Sequence, residues 1–182
     1  MQILKFFVGG VLFTFSILAV IAWLILPDEF KIEERIIIDA SEAAVFETLN
    51  DLQTWERWIF ESGSNDRPKI EYTSTKREGI GASMLWIYAT DNQIKVEIRE
   101  AFPPERLVVV FNSIGQGETT TISIFLESTQ SGTEVRWLHK GDYGWGIASR
   151  LSASILDFEG ETAAIYAAQL KRLKSFVENY TY

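Results

Sequence analysis

The clearest pattern in this chain is the alternation of apolar and charged side chains at residues 93–102, where Ile94, Val96 and Ile98 share one phase. A period of two predicts a strand with one buried face and one solvated face. Similar runs bounded by turn residues predict six more strands, at residues 30–38, 69–75, 83–89, 107–112, 119–127 and 133–139. The connections between the strands after residue 69 are too short for crossover helices, so we expect an antiparallel sheet.

Helical spacing predicts three helices around this sheet. Ser41 can cap the first, at residues 42–49, and a second short helix follows at residues 52–58. The last, at residues 161–180, places Tyr166, Leu170, Leu173 and Val177 at helical spacing. Because this helix alone is long enough to cover the apolar face of the sheet, we predict an α+β fold in which a curled seven-stranded antiparallel sheet surrounds the C-terminal helix.

An uncharged apolar run, Phe6–Leu26, precedes this domain and is 21 residues long. As a helix it would extend about 31 Å, the thickness of the hydrocarbon core of a bilayer. We therefore predict an N-terminal transmembrane anchor at residues 1–29, spanning at 6–26, and a domain at residues 30–182. A cleaved signal peptide is the alternative, with Val20 and Ala22 as small residues at the cut, although the apolar run continues past them.

Charges at the two ends of the run predict its orientation. Lys5 and the terminal amine precede it, and Asp28 and Glu29 follow it. The positive-inside rule then places the N-terminus in the cytoplasm and the domain on the periplasmic or extracellular side of a single-pass protein.

The composition of the remaining chain excludes several classes of function. Residues 31–182 carry 16 basic and 23 acidic side chains, which argues against nucleic acid as a partner because phosphate recognition needs a basic face. The chain has no cysteine and one histidine, so disulfides, thiolate metal sites and multi-histidine metal centres are excluded. We expect no cofactor and no metal, and the oligomeric state is left open.

Six short segments stand out by their order and spacing, at residues 36–46, 51–58, 79–86, 100–107, 132–137 and 170–174. They include Trp55-Glu56-Arg57-Trp58, Gly79-Ile80-Gly81 before Trp86, and Pro103-Pro104-Glu105-Arg106. Together they resemble the START-like superfamily, also called SRPBCC, and most closely its polyketide cyclase/dehydrase-like branch, over roughly residues 31–179.

The resemblance implies a helix-grip fold with a cavity between the curled sheet and the last helix, where members hold apolar or amphipathic ligands. Some members are cyclases or dehydratases and many are carriers, and fold similarity does not transfer chemistry. One position departs from the pattern, because Gln169 stands where the family often has glycine before Leu170. This difference bears on the size and polarity of the cavity near the helix.

Aromatic side chains are frequent in the domain, and pockets for apolar ligands are lined largely by such residues. The alternative is that they form the core, as Trp55 and Trp58 would if they packed the short helices onto the sheet. We select as ligand-binding candidates Trp86, Tyr88, Trp137, His139, Tyr143, Trp145 and Ala167. Tyr143 and Trp145 belong to a predicted loop at the mouth of the cavity, and Ala167 belongs to a run of small residues in the last helix.

Two titratable residues are candidates for catalysis. His139 shares the phase of Val135 and Trp137 and is predicted to face the concave side of the sheet. Glu100 continues the phase of Ile98 and is predicted to face inward as well, where burial would raise the pKa of its carboxyl. A structural histidine and a polar strand end are the alternative interpretations.

These observations favour a membrane-anchored, non-catalytic domain that binds a hydrophobic small molecule or lipid in an internal cavity. The first alternative is a polyketide cyclase- or dehydratase-like enzyme in which His139 and Glu100 act as an acid/base pair. The second is a protein-interaction module of the cell envelope that docks through the convex face of the sheet.

Overall fold

A computed structural model gives the fold and describes residues 23–63, 66–115, 119–143 and 146–180, together with isolated residues between 7 and 21. Part of the predicted span at residues 6–26 lies outside the described residues, and those described from Phe7 to Ile25 are helical. Within the described part of the chain, no helix is long and apolar enough to cross a membrane.

The chain divides into two compact units. The first, which we call the N-terminal unit, contains the described residues up to Phe30 and the segment Asp142–Gly160. The second, the sheet unit, contains Lys31–Gly141 and the described residues from Glu161 onward.

Seven strands and four helices are described outside residues 7–25. The strands are β1 (Glu29–Ile38), β2 (Lys69–Tyr72), β3 (Ser83–Ile87), β4 (Gln93–Phe102), β5 (Arg106–Ser113), β6 (Thr119–Thr129) and β7 (Gly132–Asp142). The helices are α1 (Glu42–Asn50), α2 (Leu52–Trp58), α3 (Ile147–Ile155) and α4 (Phe158–Tyr180). The strand order β1-β7-β6-β5-β4-β3-β2 confirms the predicted seven-stranded antiparallel sheet and the α+β class. Helix α3 was not predicted.

Side-chain caps define the starts of α1 and α2. The Ser41 hydroxyl accepts a hydrogen bond from the Ala44 N–H at 3.3 Å, and the Asp51 carboxylate accepts one from the Gln53 N–H at 2.8 Å. Each cap satisfies a backbone donor that the first helical turn leaves without a partner. The two helices bury an apolar side made of Val45, Phe46, Leu49, Leu52, Trp55 and Trp58.

Cross-strand registers define the inner face of the sheet. Ile98 pairs with Val109, Val109 with Ile122, and Ile122 with His139, and all four are buried. Directly paired residues on neighbouring strands share a face. The inner face therefore carries an apolar row that ends in the imidazole of His139, as its strand phase predicted.

The C-terminal half of α4 is fixed to this unit by polar contacts with backbone groups. The Arg172 guanidinium donates to the carbonyls of Trp58 and Ile59 at 2.9 and 3.0 Å, at the C-terminal end of α2. Lys174 Nζ donates to the carbonyl of Ile37 in β1 at 2.6 Å, and the Glu178 carboxylate accepts from the Asp39 N–H at 2.8 Å. Leu170, Leu173 and Val177 are buried beneath these contacts. Together they fix the position of the C-terminal half of the helix on the sheet.

The turn between β6 and β7 lies against the end of β1. Gly132 has a φ of +124°, and a methyl group there would overlap the backbone of Ile38. A side chain is excluded at this position by both conformation and space.

Candidate functional site

A cluster of aromatic rings lies between the inner face and α4. Trp137 of β7 is at the centre, with ring centroids 6.4 Å from Trp55, 6.3 Å from Trp58 and 5.8 Å from Tyr166 of α4. The cluster continues from Trp55 to Phe111 at 6.3 Å and from Phe111 to Trp86 at 5.6 Å. Contacts at these separations stabilise aromatic pairs beyond the burial of their area.

His139 and Tyr166 form a hydrogen-bonded pair beside this cluster. The Tyr166 hydroxyl and His139 Nδ1 are 2.9 Å apart, and the two residues are 9% and 6% exposed. Burial lowers the pKa of His139 and raises the pKa of Tyr166 to about 12. The pair is therefore held in its neutral form at ordinary pH.

Three buried polar atoms in this region have no hydrogen-bond partner among the described residues: Trp86 Nε1, Trp137 Nε1 and Gln169 Oε1. The neighbouring indoles differ, because Trp55 Nε1 donates to the Leu49 carbonyl at 2.9 Å and Trp58 Nε1 donates to the Thr54 hydroxyl at 3.3 Å. A buried polar group without a partner costs about 1–3 kcal/mol. Such a group in a native structure calls for an explanation, and one explanation is a bound ligand that supplies the missing hydrogen bond.

The remaining ligand-binding candidates are dispersed. Tyr88 follows β3 in the sheet unit, and burial, with the charge of Asp66, raises its pKa. Ala167 is half-buried on α4, next to Tyr166. Tyr143 belongs to the N-terminal unit, where its hydroxyl donates to Glu159 Oε1 at 2.7 Å. Trp145 lies outside the described residues.

The prediction that Glu100 faces inward is wrong. A β-bulge shifts the register between Ile98 and Glu100, so Glu100 pairs with Val108 rather than continuing the inner row. Val108 pairs with Ser123, and Ser123 with Leu138, which places Glu100 and His139 on opposite faces of the sheet. In addition, β4 and β7 are three strand spacings apart in the sheet, which is a separation of about 14 Å.

The carboxylate of Glu100 is instead paired with a guanidinium on the outer face. Arg106 Nη2 lies 2.8 Å from Glu100 Oε2, and both side chains are partly exposed. The structure therefore does not bring together the predicted acid/base pair. It brings His139 together with Tyr166 instead. Tyr166 was predicted only as part of the apolar stripe of the last helix.

The two described grooves lie outside the interior of the sheet unit. One, of about 590 Å³, crosses β5, β6 and β7 on the outer face and contains the Arg106, Phe125 and Arg136 row. The other, of about 620 Å³, lies beside the start of α2 and the segment 76–80. The expected open cavity beneath α4 corresponds to neither groove, and the rings of Trp137 and Tyr166 are in contact in that region.

No protein-family model matches the chain, and no curated protein matches it. Solved structures resemble it in fold. SA2116 of Staphylococcus aureus, a protein of unknown function, is 11% identical with a TM-score of 0.66, and the match covers 85% of this chain and 96% of that one. The Aha1 dimer of Colwellia psychrerythraea is 19% identical with a TM-score of 0.55, covering 82% and 96%.

DynU16, from the dynemicin biosynthetic locus, is 14% identical with a TM-score of 0.56. The match covers 81% of this chain and 47% of DynU16, so the chain spans about half of its length. At these identities the likeness shows the fold alone, a seven-stranded antiparallel sheet with a long C-terminal helix, which is consistent with the helix-grip fold that the resemblance implied.

Proposed function

We propose that the sheet unit binds a hydrophobic small molecule or lipid between its inner face and α4, without chemical change to the ligand. The observation that carries this proposal is the unpartnered indole N–H of Trp137, buried within a ring-lined interior and close to the His139–Tyr166 pair. Pockets for small ligands combine such apolar walls with a few polar groups that orient the ligand.

The chemistry of the unpartnered atoms narrows the class of ligand. An indole N–H only donates, so Trp137 requires an acceptor such as a ketone, ester or ether oxygen. The side-chain oxygen of Gln169 requires a donor such as a hydroxyl. A largely apolar molecule that carries an oxygen function, rather than a pure hydrocarbon, fits these requirements.

Access to this interior is proposed to occur through the N-terminal half of α4. Four residues there are small (Ala163, Ala164, Ala167 and Ala168), and Ala164 and Ile165 are exposed. The C-terminal half carries the contacts of Arg172, Lys174 and Glu178 with backbone groups. The proposed entry therefore lies at these small side chains, away from the C-terminal half and its hydrogen bonds to backbone groups.

The neutral His139–Tyr166 pair supports binding over proton transfer. A pKa of about 12 for Tyr166, compared with an ordinary value of 10, opposes ionisation of its hydroxyl by about 3 kcal/mol. Efficient general acids and bases have a pKa near the working pH. The pair is better suited to hydrogen bonding with a neutral ligand than to catalysis.

We further propose that residues 6–26 anchor the protein in a membrane as a single span, with the N-terminus cytoplasmic and the sheet unit periplasmic or extracellular. The uncharged length of this run supports the proposal. The described side chains near its end also support it, because Trp23, Leu24 and Ile25 are exposed.

Photo-crosslinking with benzophenone, a ketone between two apolar rings, tests the binding proposal on the full-length protein in detergent. We expect crosslinks to β7 and α4, and competition about tenfold stronger by 9-fluorenone than by fluorene, which has the same flat shape without the carbonyl. Tenfold corresponds to about 1.4 kcal/mol, within the range for one buried hydrogen bond.

Two variants make this comparison specific. Trp137→Phe should abolish the preference for fluorenone, while Trp55→Phe should retain it, because the Trp55 indole already donates to a carbonyl. Both competitors partition into the same micelles, so the comparison between variants is independent of partitioning. Crosslinks confined to the surface or to residues 6–26, or a preference that Trp137→Phe leaves unchanged, would refute the proposal.

A further inference from the structure

Helix α3 presents an uncharged, apolar surface. Its nine residues include no acidic side chain, and its one basic residue, Arg150, is buried. Leu151 and Ile155 lie four residues apart on one side of the helix and are 45% and 71% exposed, and Leu156, just after the helix, is 66% exposed. Residues spaced by four share a helix face.

Contacts within the N-terminal unit place α3 next to the end of the apolar run. The Tyr143 N–H, before α3, donates to the Asp28 carbonyl at 2.9 Å. The Phe30 ring lies 5.2 Å from the ring of Tyr143 and 5.2 Å from the ring of Phe158, which follows α3. Both ends of the segment that contains α3 are thus fixed to Phe30, four residues after Leu26.

We propose that α3 lies in the interfacial layer of the bilayer that residues 6–26 span, with Leu151, Ile155 and Leu156 at the boundary between headgroups and acyl chains. A helix fixed within a few residues of the end of a membrane span lies at the depth of that boundary. Interfacial helices bury their apolar face by about 5–10 Å. This inference rests on the anchoring proposed above.

We assign lipid as the partner of this apolar face because the face lies in the same unit as the end of the apolar run and has no exposed cationic side chain among its described residues. The exposed side chains of Trp23, Leu24 and Ile25 belong to the same compact unit, so apolar surface at the end of the run and apolar surface on α3 occur together. With Arg150 buried and Asp157 and Glu159 following the helix, the described charges offer no attraction to anionic headgroups. The contact is therefore apolar and insensitive to salt.

The absence of cysteine allows single labels to test the proposal on the full chain. Ile155→Cys, Ile17→Cys and Lys171→Cys would each carry the fluorophore NBD in phosphatidylcholine nanodiscs that hold one copy of the protein. Lys171 is an exposed residue of α4 in the sheet unit and serves as the control. Quenching by lipids with a nitroxide at carbon 5 or carbon 12 of the acyl chain reports depth, and iodide reports access from water.

The expected result is shallow quenching at position 155, deep quenching at position 17 and none at position 171, unchanged by 0.5 M salt. Quenching at 17 without quenching at 155 would overturn the placement of α3 and leave the anchor intact. Absence of quenching at 17 would overturn the anchor and this inference with it. Protection of position 155 from iodide without quenching by lipid would assign the face to a protein contact and also overturn the inference.

Discussion

His139 is the single histidine of the chain, so its burial should dominate the pH dependence of stability near neutrality. Burial lowers the pKa of His139 from 6.5 in the folded state. The unfolded chain therefore binds a proton more readily than the folded one, and stability is complete above pH 6.5 and is lost as the pH falls towards the folded pKa. One proton changes the free energy of unfolding by at most about 1.4 kcal/mol per pH unit.

The other shifted groups titrate outside this window. The pKa of Glu33 is lowered to about 2 by its bonds with Lys31 and Arg35, and that of Tyr166 is raised to about 12. The pKa values of Glu97 and Glu178 are lowered from 4.5, so the stability they contribute is lost only below about pH 4.5. Among the described groups with a shifted pKa, His139 is therefore the one expected to change the free energy of unfolding between pH 5 and 8.

Thermal unfolding of the full-length protein in detergent, followed by near-ultraviolet circular dichroism at constant ionic strength, measures this effect. A loss of 1 kcal/mol lowers the Tm of a chain of this size by about 2–4 °C. We expect the Tm to fall between pH 7 and 5 in the wild type and in Tyr166→Phe, which keeps the imidazole, and to be flat in His139→Asn. The same slope in His139→Asn, or a flat wild-type profile, would refute the assignment.

Three further substitutions test packing by the same thermal assay. Arg172→Met removes two hydrogen bonds to the end of α2 and should lower the free energy of unfolding by about 1–3 kcal/mol. Lys171→Met, at the exposed neighbouring position, should change it by less than about 0.5 kcal/mol. Equal losses would contradict the conclusion that Arg172 fixes α4 to α2. Gly132→Ala forces a methyl group against β1 at a φ of +124° and should cost about 3 kcal/mol or more, compared with about 1 kcal/mol for Gly115→Ala in open space; a mild effect at 132 would be inconsistent with the close approach. Glu100→Gln, in a partly exposed ion pair, should change stability by less than about 1 kcal/mol, and a larger loss would mean that the carboxylate is buried.

The sheet and the terminal helix could be predicted because each repeats a simple period over many residues. Alternation in β4 and the stripe from Tyr166 to Val177 follow directly from one buried face. The inward position of His139 followed from the same argument. The phase of Glu100 failed because it assumed an unbroken ladder, and a single extra residue near Arg99 reverses the face without altering the composition of the strand.

Other features depended on tertiary information. Helix α3 was missed although its apolar and serine side chains separate to different sides at helical spacing; its apolar side is exposed in the structure, so it is not part of the core pattern on which the prediction relied. The pairing of Tyr166 with His139 joins residues 27 positions apart on different elements, and a tyrosine in an apolar stripe signals only that its hydroxyl needs a partner. Periodicity also does not reveal whether aromatic side chains leave a void or fill one.

The two halves of α4 differ in the kind of contact they bury, and this difference links stability to the proposed binding. From Leu170 onward the helix combines a continuous apolar stripe with hydrogen bonds to backbone carbonyls. One turn earlier it presents the Tyr166 hydroxyl and the unpartnered oxygen of Gln169. A helix selected only to close the core would continue the stripe, because each unpartnered polar atom costs about 1–3 kcal/mol. That cost falls on the half with small side chains, so it lowers the free energy that local opening there requires. A ligand that supplies hydrogen bonds to Trp137 and Gln169 recovers this free energy on binding, and the fixed half keeps the fold closed while the other half admits it.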